Sequence, residues 1–287
     1  MVDLLQSLQA PLQYAFMVRG LLAVLMVGVV CATVGTYVVL RGMAFFGDAL
    51  AHAIVPGIAL GYLVGDGARQ PLFWGAMLAA IASAFGIGAI IKSTKIREDT
   101  AIGIVFAGMF ALGIALISTV RSYSVDLAHF LFGDVLGVAT SDLIRMAILG
   151  GLVLILIGLF YKEFLVLAFD PLLATTLRLP ARLLENLLLL IIAVTIVIAL
   201  QTVGVALMVA VLVTPAAAAY LLTRRLPVMM ALAAIIASLS GVIGLYISFY
   251  ANVASGAAIV LTCTAFFILA WLGREIQRRY QQRKSSR

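Results

Sequence analysis

Apolar residues in this chain do not alternate with polar ones. They gather into long runs broken by short charged stretches, at approximately 20–40, 49–65, 72–91, 100–120, 143–161, 185–202, 205–222, 228–248 and 255–273. Runs of this length suit helices, because a helix needs about 20 residues to cross the hydrocarbon core. A β-barrel is excluded, since its strands would alternate apolar and polar residues. The segment from Glu185 to Thr223 is too long for one crossing, and Gln201-Thr202-Val203-Gly204 is the break that divides it. The pattern therefore predicts an all-α polytopic membrane protein of nine transmembrane helices, with eight as the alternative.

Composition agrees. Of 287 residues, 64% are hydrophobic and 11% charged, and the mean hydropathy is +1.20. A soluble domain of this size could not hide that much apolar surface. Residues 1–18 lack a positively charged start, and the first run leads straight into further runs, so no cleavable signal peptide is expected. The chain reads as one transmembrane domain over 1–287. Cys31 and Cys263 lie in separate apolar runs and read as small buried hydrophobes, not a disulfide or thiolate site.

A net charge of +7 is also found in nucleic-acid-binding chains, but here the basic residues sit at the ends of apolar runs. With alternating spans and a cytoplasmic C-terminus, Arg19, Arg69, Arg121 and Arg145 fall outside and the other 15 of 19 basic residues fall inside. That asymmetry follows the positive-inside rule. It predicts an extracytoplasmic N-terminal segment (1–18) and a basic cytoplasmic tail (274–287), and merging two spans would spoil it.

Against this background Asp48 and His52 stand out. They are four residues apart, so they share one helix face about a turn apart. Ionisable groups in lipid are costly and usually face a polar pathway. Pro56 lacks an N–H, which frees the carbonyl four residues earlier, that of His52. Carboxylate, imidazole and carbonyl together are ligands for a divalent cation. A pair that merely stabilises packing is the other reading.

Other segments carry weaker signals. Asp170 and Pro171 suit the cap and first position of a helix, and Pro180 disfavours its continuation. A short helix over 171–178 is expected in a cytoplasmic loop, as an interfacial helix or a docking helix with equal claim. Glu98 and Asp99 complement the helix dipole at the start of the fourth run. The outer stretch 121–142, with Asp126, His129, Asp134 and Asp142, reads as a solvated loop or a cation-attracting one. Gly57, Gly61 and Gly65 repeat a G-x-x-x-G spacing that allows close helix approach. Pro215 is expected to kink the seventh span. No G-x-x-x-x-G-K-[ST], H-E-x-x-H or G-x-S-x-G occurs, so neither P-loop ATP hydrolysis nor the common hydrolase patterns belong to this chain.

Val39 to Gly57 (VLRGMAFFGDALAHAIVPG), Arg97 to Ile104 (REDTAIGI), Leu131 to Leu136 (LFGDVL), Phe169-Asp170-Pro171, Gln201 to Val205 (QTVGV) and Leu212 to Ala218 (LVTPAAA) occur in that order. Together they resemble the permease subunits of bacterial zinc/manganese/iron ABC importers, over roughly 15–273. Ala51 departs from the pattern, where members frequently carry Ser; Asp48 and His52 keep it. The resemblance implies a fold like the metal-chelate and vitamin B12 importers, in the bacterial inner membrane. It implies a dimeric permease enclosing the pathway, a separate cytoplasmic ATPase chain and an extracytoplasmic metal-binding protein. On that footing Asp48 and His52 coordinate a divalent transition metal (manganese, zinc or iron) in transit as substrate, with no covalent cofactor. The helix at 171–178 becomes a coupling helix on the ATPase, involving Asp170, Pro171, Leu173, Thr176, Leu177 and Arg178.

Two competing functions come from other classes. An ion-coupled secondary transporter of a cation would usually show an inverted repeat, and no second Asp-x-x-x-His span exists. An intramembrane enzyme using Asp48 and His52 as acid and base would need further polar residues that the spans do not offer.

Overall fold

The computed structural model describes residues 9–65, 68–94, 96–119, 135–169 and 171–285. Helices account for nearly all of them, as lipid demands: in hydrocarbon every backbone polar group must be satisfied within the segment. They are α1 (Ala15–Leu40), α2 (Ala44–Ala53), α3 (Val55–Gly65), α4 (Arg69–Ser93), α5 (Glu98–Ser118) and α6 (Thr140–Leu159). Then follow α7 (Tyr161–Phe169), α8 (Pro171–Thr176), α9 (Ala181–Val203), α10 (Val205–Leu222), α11 (Leu226–Ala251) and α12 (Ser255–Ser285). Short 3-10 turns at Ala10–Gln13 and Val135–Gly137 precede α1 and α6. Among the described residues nine segments are long and apolar enough to cross a membrane, with α2 and α3 together forming the second.

Several boundaries differ from the sequence-based expectation, for one reason. Helices run past the hydrocarbon core, so polar residues near a span's end join the helix instead of stopping it. The first span begins at Ala15, inside the segment expected to precede it, and its 26 residues are about 39 Å long. Asp142, expected in the outer loop, lies in the first turn of α6, where its carboxylate accepts a hydrogen bond from the Ala139 N–H at 3.2 Å. The other residues singled out in that loop, Asp126, His129 and Asp134, fall outside the described residues. The basic tail continues α12 to Ser285, with Arg279 paired to Glu275 one turn back at 2.9 Å.

α1 is the central post, packing against α11, α10, α6 and α9. The glycine stripe of the second span does what its spacing predicts. A Cβ on Gly57 would collide with the Gly75 carbonyl, and one on Gly61 with the Pro71 carbonyl, so α3 and α4 run backbone to backbone. α10 keeps a helical course through Pro215. Cys31 and Cys263 are buried, and neither is joined in a disulfide.

The break expected at 201–204 narrows to one residue. α9 continues to Val203, α10 starts at Val205, and Gly204 between them has φ 79° and ψ 170°. That backbone region is essentially open to glycine alone. The two helices share α1 and otherwise take different neighbours: α9 packs against α4 and α6, whereas α10 packs against α12 and α11.

Contacts at the helix ends test the alternation of nine spans. Arg41, Lys92, Glu98 and Glu185, all expected on the inner side, line one crevice. On the opposite side Tyr14 meets Phe249 with ring centres 5.9 Å apart, and the Arg145 guanidinium lies over the Phe73 ring at 5.6 Å. The Tyr14–Phe249 contact decides between the two counts, because merging spans six and seven would put Phe249 on the face opposite Tyr14, whereas the other contacts precede the merged segment and suit either count.

Candidate functional site

α2 positions the pair singled out by spacing. It buries Phe46, Leu50 and Ala53 against the bundle and turns Asp48 and His52 the other way. His52 Nε2 lies 3.8 Å from Asp48 Oδ1, with the side chains 26% and 42% exposed, respectively. Metal–nitrogen and metal–oxygen bonds are each about 2.1 Å, so two ligands on one ion can be up to roughly 4.2 Å apart. The observed spacing therefore admits a shared cation with little rearrangement.

The third expected ligand is partly committed. The His52 carbonyl, freed by Pro56, accepts the Ile54 N–H at the junction of α2 and α3. It keeps a second lone pair, but the helix has closed on it instead of leaving it bare. No cluster of three or more His, Cys, Asp or Glu side chains is found among the described residues, so this chain's described side chains offer two ligands.

Sequence reasoning missed what lies beside His52. Phe106 and Phe110, one turn apart on α5, present ring edges and faces to the imidazole at 5.9 and 5.6 Å between ring centres. They stack on each other at 5.9 Å, and Phe45 meets Phe106 edge-on at 6.3 Å. These contacts fix the imidazole plane and line one side of the site with apolar surface. Nothing in the i, i+4 spacing of two phenylalanines in an apolar run separates them from ordinary packing residues.

The expected cytoplasmic helix is present but shorter and accompanied. α8 ends at Thr176, two residues before the expected limit. The Leu179 N–H bonds back to the Ala174 carbonyl at 3.0 Å, and Arg178 takes a left-handed φ of 54°. This is a helix C-terminal closure of the Schellman kind, so the stop is made before Pro180 acts. Ala174 is buried, while Leu173, Thr176, Leu177 and Arg178 are exposed. Asp170 lies outside the described residues, and of Pro171 only its place at the helix start is described. A second helix, α7, absent from the sequence-based reading, leads into α8 and packs against it and against α9. Phe164 of α7 meets the buried Tyr37 of α1 edge-on at 5.8 Å. The helix at 171–176 is thus tied to the central post and stands far along the chain from Asp48 and His52.

Comparison with known proteins adds an independent line. Residues 13–274 match the model of the ABC 3 transport family. The "Manganese transport system membrane protein MntC" of Listeria innocua is 47% identical over 265 residues, covering 92% of this chain and 93% of its own length. The "Probable iron transport system membrane protein" of Haemophilus influenzae is 40% identical, covering 91% and 94%. Among solved structures, PsaBC from Streptococcus pneumoniae in complex with Fab matches with TM-score 0.80 and 37% identity over 94% of this chain and 95% of that one. An inward-facing putative metal-chelate type ABC transporter matches with TM-score 0.72 at 11% identity, over 90% and 86%. That second likeness speaks to the fold.

Proposed function

The chain belongs to the ABC 3 transport family, and we propose that it is the membrane permease of an ABC importer for a divalent transition-metal cation in the bacterial inner membrane. The observation that carries this reading is the Asp48–His52 pair, 3.8 Å apart on one face of an apolar span. Manganese and iron are the metals in the relatives' names. An oxygen–nitrogen donor set suits such first-row ions, and oxygen favours manganese most. An ion-coupled secondary carrier has no comparable support.

Asp48 and His52 are the residues through which the metal passes. A carboxylate left 42% exposed on a membrane helix cannot face hydrocarbon cheaply. A second copy of the chain laid against this face would enclose the pair and double the donor set. ATP hydrolysis falls to a separate cytoplasmic chain, because no phosphate-binding loop exists here. α8, which opens on Pro171, together with the turn after it, exposing Leu173, Thr176, Leu177 and Arg178, is the surface on which that ATPase pushes, and Asp170 belongs to the same segment of sequence. An extracytoplasmic metal-binding protein delivers the ion to the opposite face.

The test is ATP turnover by the permease reconstituted with its ATPase and metal-binding protein. Manganese-loaded binding protein is expected to stimulate hydrolysis and drive Mn²⁺ into proteoliposomes. Hydrolysis indifferent to metal, with uptake driven instead by a proton or sodium gradient, would return the function to a secondary carrier.

A further inference from the structure

Arg41 closes α1, and the next residue, Gly42, turns the chain with φ +70° into α2. The side chain of Arg41 is largely buried, and Nη2 lies 3.4 Å from Glu98 Oε1 and 4.0 Å from Glu185 Oε1. One guanidinium thus spans the first residue of α5 and the second turn of α9. Its other amino group, Nη1, is buried with no hydrogen-bond partner. Beside it, Lys92 Nζ donates to Asn186 Oδ1 at 2.6 Å and to the Arg182 carbonyl at 3.3 Å, tying α4 to α9. The four charged groups, with Met43, Gly88, Ile91 and Leu189, line a crevice at the inner ends of these helices.

The balance of charges matters here. Two cations face two carboxylates, so the cluster is neutral, yet Arg41 is shared at long range instead of held bidentate by one partner. A bidentate arginine–carboxylate pair is shorter and stronger. The shared arrangement with a spare buried donor can be tightened onto Glu98 or onto Glu185 at small cost. The two partners belong to helices with different roles. α5 holds Phe106 and Phe110 against His52, while α9 follows directly from α8 and packs against α7.

We propose that Arg41 is a positioning residue, a clasp between Glu98 and Glu185 that sets α2 against α5 and links the Asp48–His52 site to movement of α9. This rests on the reading of Asp48 and His52 as the metal site. Force arriving through α7 and α8 reaches α9, shifts Glu185 relative to Glu98, and moves Arg41 and the start of α2 with it. Losing the clasp leaves ATP turnover running and the metal site unlinked from it.

The experiment measures Mn²⁺ imported per ATP hydrolysed by the whole reconstituted transporter. Arg41→Gln is expected to lower this ratio by about fivefold or more, the usual lower size of a coupling between sites, with ATP turnover kept. Arg41→Lys should fall between. Adding Glu98→Gln to Arg41→Gln should cost nothing further, since both remove one interaction. A wild-type ratio, uptake and hydrolysis falling in step, or additive losses would each overturn the clasp. Should Arg41→Gln fail to fold, Glu98→Gln and Glu185→Gln carry the test, and wild-type ratios in both would overturn it. Asp48→Ala run in parallel separates the two readings. If it transports normally, the site assignment falls and takes the clasp with it; if it is dead while Arg41→Gln is normal, the clasp alone falls.

Discussion

Asp48 and His52 owe their prominence to solvent. In a soluble helix an i, i+4 carboxylate–imidazole pair would be one more surface interaction. In an apolar span it is a costly exception with few neighbours to share it. Removing either ligand leaves a single donor in this chain. Loss of an outer-shell partner alone costs about 10–100-fold in metal affinity, so loss of a ligand should cost at least that. Asp48→Ala and His52→Ala are each expected to lower metal uptake by at least about tenfold on that scale, with normal amounts of protein in the membrane. Uptake of radioactive Mn²⁺ by cells lacking other importers checks this, and wild-type uptake by both variants would remove the assignment. Phe106 and Phe110 complete the surroundings of His52, although nothing in sequence marked them.

At the scale of elements, α8 shows how six residues can form a defined projection. Pro171 presets the first turn, and the Leu179-to-Ala174 hydrogen bond closes the last. Buried Ala174 anchors it, while Leu173 and Leu177, 44% and 55% exposed, point away from the bundle. On the proposed reading, this exposed apolar pair, Leu173 in α8 and Leu177 just after it, seats in a groove of the ATPase. Leu173→Asp or Leu177→Asp is expected to release the ATPase or to uncouple hydrolysis from uptake. Either loss should leave Mn²⁺ binding at Asp48 and His52 as it was. Co-purification of the two chains and their ATP turnover measure it. Should both stay at wild-type levels with normal uptake, α8 is only a membrane-surface element and the coupling lies elsewhere. The one-residue junction at Gly204 likewise parts α9 from α10 by local chemistry with a long-range result.

For the whole molecule, an odd number of alternating spans sets the two ends of the bundle on opposite sides, and the N-terminal end is expected outside with the C-terminal tail inside. Contacts between Arg41, Glu98 and Glu185 at one end, and between Tyr14 and Phe249 at the other, agree with that alternation. The excess of basic residues at the first end predicts that this side is cytoplasmic. Single cysteines placed near residue 8 and near residue 284 in a background lacking Cys31 and Cys263 give the test. An impermeant thiol reagent on intact cells should label the first and spare the second. The reverse pattern would invert the protein, and equal labelling of both would mean an even number of spans.

Sequence by itself determined the solvent, the helical class and the spans, and it singled out the Asp48–His52 pair that we propose as the metal site. Each of these follows from local patterns: run length against bilayer thickness, charge at run ends, and spacing within one turn. It also found Gly57 and Gly61 as packing positions, because close approach needs only the absence of a side chain. Tertiary structure alone decided what depends on residues far apart in the chain. Glu98 looked sufficiently explained by its own helix dipole until α5 was laid beside Arg41. The His52 carbonyl looked free until the turn at Ile54 closed on it. The end of α8 looked like the work of Pro180 until Arg178 adopted a left-handed backbone. Local rules specify which groups are available; only the packed bundle specifies which of them meet.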